Sequence, residues 1–199
     1  YKTLPQPYMV EFSVGAPEVT DYSETPPVVD ALNLVFEDSV APVEMLGKRV
    51  ETGLTLSPAI AGEWQWASES NLVFRPNGDW PVGQQYRLKL AREGLFAPGV
   101  LLPRYEVEFS SAPFHVQVAS SELYQDPNVA SLKKLVTTLR FSHPVDPESV
   151  RKRIAISLDK GLEYRDKDVS HVPEIHFDKK RLRAFVHSQP LATPLETVS

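Results

Sequence analysis

The 199-residue sequence contains no cysteine. Disulfides, thiolate metal ligands and cysteine nucleophiles are therefore excluded within this chain. No stretch repeats apolar residues with the 3.6-residue period of an amphipathic helix, and no apolar run is long enough to span a membrane. Glycine-rich phosphate loops, G-x-S-x-G elbows and H-E-x-x-H helices are also missing from the sequence. The sequence therefore offers no familiar catalytic motif.

Proline, in contrast, is abundant: the chain has 18, about twice the average usage. This density is typical of an all-β protein with short strands and rigid connections. Seven short segments with alternating or strand-like composition occur in the first half of the chain, separated by turn-forming residues. They cover residues 8–14, 31–37, 53–57, 62–66, 71–75, 86–91 and 104–109. The spacing predicts an antiparallel sandwich of immunoglobulin-like type.

The pattern of the first strands recurs about 105 residues later. The aligned positions are Val10, Phe12, Val14, Leu34, Phe36, Val40 and Pro42 with Phe114, Val116, Val118, Leu139, Phe141, Val145 and Pro147. A repeat of this length corresponds to a complete small domain. We therefore predict two tandem sandwiches, residues 1–111 and 112–199, joined by a short proline-stiffened connection.

The second copy is predicted to be incomplete at its C-terminal end. Its strands are expected at 113–119, 135–141, 153–158, 173–177 and 181–187, with a helical turn near 146–152 capped by Asp146. Counterparts of the last two strands of the first copy would lie near or beyond Ser199. The natural protein is therefore expected to continue, and the second copy to be the less stable half.

The alternation also predicts which side chains point inward. We expect burial of Val10, Phe12, Val14, Leu32, Leu34, Phe36 and Phe74 in the first copy, and of Val116, Val118, Leu139 and Phe141 in the second.

Charge does not indicate a nucleic-acid partner. Residues 1–111 carry a net charge of −7 and residues 112–199 one of +2. Basic residues cluster at 151–153 and 179–183, but neither cluster is interleaved with aromatic residues, and neither copy is strongly basic. Solvated turns and outward strand positions account for them.

Candidate metal ligands are few. His171, Glu174 and His176 are the one grouped set, and they would provide three ligands without a fourth. Other histidines, His115, His143 and His187, are scattered and predict no catalytic triad, and the pair Glu106 and Glu108 falls on the outward side of a strand. We therefore predict no metal site, no cofactor and no catalytic residues, so the chain is not expected to be an enzyme.

Three tryptophans allow two interpretations. Trp64 and Trp66 lie two apart on one strand and share a face, and Trp80 follows in the next turn. Exposed, they would form an aromatic platform for a sugar or peptide. In a sandwich they more often fill the core, which is the interpretation that we favour.

The order of motifs resembles that of bacterial immunoglobulin-like domains: an L-x-F-x-x-x-V-x-P turn, W-x-W, N-x-L-x-F-x-P, and then W-P-x-G before a tyrosine strand. The stretch SPAIAGEWQWASESNLVFRPNGDWPVGQQYRLKL in particular resembles the amino-terminal macroglobulin-like domains of bacterial alpha-2-macroglobulins. In the second copy the resemblance is weaker, because LATP stands where W-P-V-G is expected.

That resemblance implies an architectural fragment of a large periplasmic, lipid-anchored protein that traps proteases. In such proteins a protease cleaves a bait segment, and in many members a Cys–Gln thioester captures the attacker. This chain has no cysteine, so neither the thioester nor the lipidated residue lies within it. The implied partners are other macroglobulin-like domains of the same parent chain, proteases through the full-length protein, and the membrane only through an anchor outside this fragment.

Two other functions remain open at this point. The chain could be a spacer or stalk in a bacterial surface or adhesion protein, since a fold alone does not determine function. It could also be a carbohydrate-binding module that uses Trp64, Trp66 and Trp80.

Overall fold

The computed structural model describes residues 6–129, 133–157 and 170–191. The chain divides into two compact units, residues 1–113 (unit 1) and 114–199 (unit 2). Nearly all of the regular structure is β-strand in antiparallel sheets, so the predicted all-β class is confirmed.

Unit 1 has ten described strands and one turn of 3₁₀-helix at Val43–Met45. The strands are β1 (Tyr8–Met9), β2 (Phe12–Gly15), β3 (Leu32–Phe36), β4 (Arg49–Val50), β5 (Leu54–Ser57), β6 (Gly62–Ser68), β7 (Asn71–Pro76), β8 (Gln85–Leu90), β9 (Val100–Leu101) and β10 (Glu106–Ser110). All seven segments predicted in this half contain strand.

Two antiparallel sheets enclose the core of unit 1. One has the strand order β2-β3-β7-β6-β4 and the other β10-β8-β5. In β3 every second residue is buried, and in β8 the buried positions Tyr86, Leu88 and Leu90 alternate with exposed polar ones. This period of two brings one apolar face of each sheet into a shared core.

The predicted strand 8–14 is divided in the structure. Residues Tyr8–Met9 pair in parallel with β9, whereas Phe12–Gly15 pair antiparallel with β3. The apolar alternation continues through the break, and Val10 N–H donates to the Leu101 carbonyl at 2.9 Å. Because the alternation fits either pairing, the sequence does not indicate where the strand changes partner.

Unit 2 contains one helix and six described strands. They are β11 (Val116–Gln125), β12 (Lys133–Phe141), α1 (Pro147–Arg151), β13 (Ile156–Ser157), β14 (Ser170–His171), β15 (Glu174–Phe177) and β16 (Arg183–His187). The predicted helical turn is confirmed, and Asp146 accepts a hydrogen bond from Ser149 N–H at 2.9 Å as its cap. The predicted strand 113–119 begins later and runs six residues farther, to Gln125, and β14 was not predicted.

The main sheet of unit 2 has the strand order β11-β12-β16-β15, and β13 pairs with β14. The strand order of this four-stranded sheet matches the order β2-β3-β7-β6 in unit 1. The register matches as well: Phe12 lies opposite Phe36 and Val14 opposite Leu34, as Val116 lies opposite Phe141 and Val118 opposite Leu139. The aligned residues of the two copies therefore occupy equivalent places in the two sheets.

The predicted burial is confirmed in unit 1 and partly wrong in unit 2. Val10, Phe12, Leu32, Leu34, Phe36, Phe74 and Phe141 are buried, and Val14 and Leu139 are half-buried. Val116 and Val118, in contrast, are 53% and 66% exposed. Beyond the four-stranded sheet, the described part of unit 2 contributes only the two-residue strands β13 and β14 and helix α1. No counterpart of the sheet β10-β8-β5 lies over β11 in this part of the chain.

Candidate functional site

All three tryptophans lie in the core of unit 1. Trp64, Trp66 and Trp80 are 8%, 0% and 6% exposed. The Trp64 ring lies 5.0 Å from that of Phe74, and Trp66 packs against Phe36 and Phe96. A sugar-binding platform needs an exposed aromatic face, which these side chains do not provide. The core interpretation is therefore correct, and the carbohydrate-binding alternative loses the residues on which it rested.

Trp80 connects the two sheets of unit 1. Its ring contacts Tyr86 of β8 at 5.4 Å and Phe109 of β10 at 6.0 Å, both edge to face. It also lies 5.8 Å from Phe74 of the other sheet, and its Nε1–H donates to the Asp30 carbonyl at 2.8 Å. A buried indole is stable when its single donor has a partner. The tryptophan of the W-P-x-G motif is thus a structural residue.

The rest of that motif forms a corner that holds the end of unit 1. Gly83 has φ +60°, a left-handed conformation that favours glycine, and its N–H donates to the Ala112 carbonyl at 3.0 Å. Gln84 and Ser111 exchange hydrogen bonds, from Gln84 N–H to Ser111 Oγ at 2.9 Å and from Ser111 N–H to the Gln84 carbonyl at 3.0 Å. The Ser111 hydroxyl also donates to the Pro81 carbonyl. This corner fixes the chain that leaves β10.

The segment between β2 and β3 is held by a carboxylate. Asp79 accepts hydrogen bonds from the Thr20 hydroxyl at 3.1 Å and the Tyr22 hydroxyl at 2.8 Å. Desolvation, aided by the bond to Asp79, raises the pKa of Tyr22 to about 12. A phenol that holds its proton this strongly is a hydrogen-bond donor and not a general base.

The predicted metal-ligand candidates do not form a site in the described part of the chain. His176 Nε2 lies 3.0 Å from Glu174 Oε1, and the rings of His176 and His187 meet edge to face at 5.5 Å. The side chain of His171 lies outside the described residues. In the described ranges, no three His, Cys, Asp or Glu side chains are grouped closely enough to hold a metal ion.

The other two histidines contact Ser142. His143 is buried, and its Nδ1 lies 2.8 Å from Ser142 Oγ. The backbone N–H of His115 donates to the same oxygen at 2.7 Å. Ser142 thereby joins the start of β11 to the end of β12, and neither contact resembles a nucleophile with its base.

The charged candidates form surface ion pairs. Arg87 on β8 contacts Glu106 at 3.1 Å and Glu108 at 2.7 Å on β10, and Lys89 lies 3.6 Å from Glu106. The hydrogen bond from Arg87 to Glu108, followed by the charge of Glu106, raises the pKa of the guanidinium. In the basic cluster 151–153, Arg151 bonds to Glu148 at 2.6 Å. Such exposed pairs contribute little to stability and point to no catalysis.

An apolar groove of about 620 Å³ lies on unit 2. Its floor is the exposed face of β11 and β12, and its wall is the turn before α1 together with the residues around that helix. The apolar lining includes Phe114, Val116, Val118, Leu139, Val145 and Val150. The sequence signal for this groove was present in the alternation of residues 114–118. That alternation predicts a buried face, but it does not reveal whether a partner sheet is present to bury it.

No family model matches the chain. Among curated proteins, it is similar to the alpha-2-macroglobulin homologue of Yersinia pestis, with 37% identity over 178 residues, 89% of this chain. It is also similar to the alpha-2-macroglobulin of Pasteurella multocida, with 28% identity over 193 residues, and to that of Rickettsia conorii, with 27% identity over 108 residues.

The chain spans about a tenth of the length of these relatives: 9%, 10% and 6% in the same order. The match to the Yersinia protein covers most of both units. The names of these relatives agree with the family resemblance inferred from the sequence motifs. The chain resembles one segment of bacterial alpha-2-macroglobulins.

Proposed function

We propose that this chain is a non-catalytic scaffold within a bacterial alpha-2-macroglobulin-like protein, a broad-spectrum endopeptidase inhibitor that traps proteases. The observation that supports this most is the 37% identity to the Yersinia homologue over 89% of the chain. The residues that carry the resemblance are used structurally: Trp64, Trp66 and Trp80 in the core and Gly83 in a turn.

The same proposal assigns partners and location. Other macroglobulin-like domains of the parent chain surround this segment, and proteases are engaged by the full-length protein. The parent protein resides in the periplasm and reaches the inner membrane through a lipid anchor outside this fragment. No nucleic acid and no cofactor takes part. In the described part of the chain, no helix is both long and apolar enough to cross a membrane.

A protease titration tests the proposal. The parent protein, added to trypsin or elastase, is expected to inhibit in proportion to its molar amount. The 199-residue chain alone is expected neither to inhibit nor to be captured covalently, because it has no cysteine for a thioester. Stoichiometric inhibition by the chain alone would overturn the scaffold role. No inhibition by the parent would overturn protease trapping and favour the spacer or stalk of a surface protein.

The scaffold role is tested by a core variant of the parent protein. Trp66→Ala removes a fully buried side chain from unit 1, and we expect it to reduce the fraction of parent molecules that inhibit. The matched control is Val35→Ala on β3, whose side chain is 46% exposed and points away from the core. Equal inhibition by both variants, with unit 1 unfolded in Trp66→Ala, would mean that trapping does not need this segment.

A further inference from the structure

Asn77 and Gly78 form an exposed bend between β7 and β8. Of the four asparagines in the chain, Asn77 alone is followed by glycine. A Cβ atom built at Gly78 would meet nothing within 4 Å, so the space around its backbone is open. In the part of the chain that the structure describes, neither the Asn77 side chain nor the Gly78 N–H has a hydrogen-bond partner. The side-chain amide and the nitrogen that follows it are therefore free to approach each other.

This pair of residues has the groups that form a succinimide. The Gly78 backbone nitrogen attacks the side-chain carbonyl carbon of Asn77, which closes a five-membered ring and expels ammonia. Water then opens the ring at either of its two carbonyls and leaves aspartate or isoaspartate at position 77. The net reaction consumes one water and releases one ammonium ion, without an oxidant or a reductant. Glycine favours ring closure because it has no Cβ to crowd the attacking nitrogen.

The chain is anchored on both sides of the bend. The Asn77 N–H donates to the Ala61 carbonyl at 2.9 Å. Two residues later, the Asp79 carboxylate accepts hydrogen bonds at 3.1 and 2.8 Å from two hydroxyls of residues 16–31, the strap that connects β2 to β3. A change in the length of the main chain at position 77 therefore falls between two fixed points.

We propose that Asn77 is a site of spontaneous deamidation in the folded protein, and that isoaspartate at this position releases the strap from Asp79. Isoaspartate routes the main chain through the side chain and so adds one carbon atom between the two anchors. This addition displaces the Asp79 carboxylate relative to the hydroxyls of the strap. Hydrogen bonds weaken steeply when distance and angle leave their narrow range, so the strap loses its hold. The inference depends on the geometry of the bend and not on protease trapping.

The other asparagines provide controls within the same chain. Asn128 is exposed like Asn77, but it precedes Val129, whose branched Cβ crowds the attacking nitrogen. Asn33 and Asn71 lie within β3 and β7, where pairing with neighbouring strands fixes the backbone. Asn77 is therefore expected to react first.

Peptide mass spectrometry of the 199-residue chain measures the reaction. The folded chain is incubated at mildly alkaline pH in water enriched in heavy oxygen, which enters position 77 when the ring opens. We expect Asn77 to be converted at least about tenfold faster than Asn128, because glycine leaves the attacking nitrogen uncrowded. Gly78→Ala, whose added methyl group meets open space, should slow the conversion of Asn77 by about the same factor.

Two results would overturn Asn77 as the site. One is conversion of Asn77 in the urea-unfolded chain but not in the folded chain, since the fold would then protect the bend. The other is a rate of conversion that Gly78→Ala leaves unchanged, since the ring would then not form through the nitrogen of residue 78.

Cleavage by chymotrypsin after Tyr22 tests the release of the strap. The isoaspartate form, isolated by chromatography, is compared with Asn77→Asp, which has the same added charge without the extra main-chain atom. We expect the isoaspartate form to be cleaved at least about threefold faster, because a released segment opens more often. Asn77→Asp should be cleaved like the unmodified chain. Equal cleavage of the isoaspartate form and Asn77→Asp would show that the strap stays bound to Asp79 and would overturn this part of the proposal.

Discussion

Single aromatic side chains differ in how completely their surroundings enclose them. Phe36 is surrounded by the rings of Phe12, Trp66 and Phe96, at centroid distances of 5.3, 5.8 and 5.7 Å. Its equivalent Phe141 is buried as well, but it borders the open groove and stacks at 6.1 Å on Phe114, which is itself half exposed. A void left at Phe36 is therefore closed on all sides, whereas one left at Phe141 opens to solvent.

Truncation of these two residues should have unequal effects. We expect Phe36→Ala to lower the free energy of unfolding of unit 1 by about 3–5 kcal/mol, and Phe141→Ala to lower that of unit 2 by less than about 3 kcal/mol. Urea denaturation followed by circular dichroism measures both, with Val35→Ala as the exposed control. Equal losses for the two variants would show that the floor of unit 2 is as well enclosed as that of unit 1.

Gly62 is required by close packing. A Cβ atom built at Gly62 would overlap the Phe74 ring and the Arg75 carbonyl oxygen of the neighbouring strand, whereas one at Gly78 would meet nothing within 4 Å. We expect Gly62→Ala to destabilise unit 1 by about 1–3 kcal/mol, the range for overpacking, and Gly78→Ala to have little effect. Thermal unfolding of the two variants tests this. Equal melting temperatures for Gly62→Ala and Gly78→Ala would mean that β6 and β7 accommodate the added methyl group without strain.

At the scale of single residues, the sequence predicted burial correctly in unit 1, where two sheets enclose the core. Leu32, Leu34 and Phe36 are buried as their alternation indicated. Val116 and Val118 have an equally clear alternation and are exposed. Alternation identifies which side chains share a face, but burial of that face depends on a second sheet whose position no local pattern encodes.

Among the elements, the short helix α1 depends on its cap. The Asp146 carboxylate accepts a hydrogen bond from the Ser149 N–H, and this bond, followed by one from the Ser149 hydroxyl, lowers the pKa of Asp146. A carboxyl whose pKa is lower in the folded state stabilises that state fully above its unfolded pKa of about 3.9. The contribution is lost as the pH falls through the lower, folded value.

Asp146→Ala should therefore destabilise unit 2 at pH 7, and the difference from the unchanged protein should shrink as the pH is lowered below about 4. Asp146→Asn is the matched control, because asparagine caps a helix well but does not titrate in this range. Melting temperatures between pH 2 and pH 7 provide the measurement. A difference that stays constant over this interval would contradict a role for the ionised cap.

Elements defined by local alternation were predicted within a few residues, as β3, β7 and β8 illustrate. The far half of β11 was not predicted, because residues 120–125 read SSELYQ and have no apolar period. They are strand because β12 pairs with them, from Ser120 opposite Thr138 to Gln125 opposite Lys133. Pairing between strands imposes structure there that the composition of the segment does not.

For the whole molecule, the two units are expected to differ in stability. The described residues of unit 2 contribute four buried apolar side chains to its core: Phe141, Ile175, Ala184 and Val186. The core of unit 1 contains many more, including the aromatic contacts between its two sheets. Because buried apolar area is the main stabilising contribution, unit 2 should unfold first.

Differential scanning calorimetry of the 199-residue chain should show unit 2 melting at the lower temperature. Trp66→Ala, confined to unit 1, assigns the transitions, since it should shift the upper one alone. Adding about twenty or more native residues of the parent after Ser199 should raise the lower transition, since burial of more apolar surface is stabilising. If Trp66→Ala shifts the lower transition, unit 2 is not the weaker unit. The same conclusion follows if the added residues leave the lower transition unchanged.

The parallel pair β1–β9 has a consequence for the order in which unit 1 forms during synthesis. Tyr8 pairs with Val100, and the Arg104 guanidinium donates to the Phe12 carbonyl across 92 positions of sequence. At ordinary translation speeds, β1 waits roughly 5–20 s after its own synthesis for β9, its partner strand. Throughout that interval Val10 and Phe12 lack their native cover. Unit 1 therefore closes in one late step, and the nascent segment of β1 and β2 is a natural binding site for a chaperone until that step is complete.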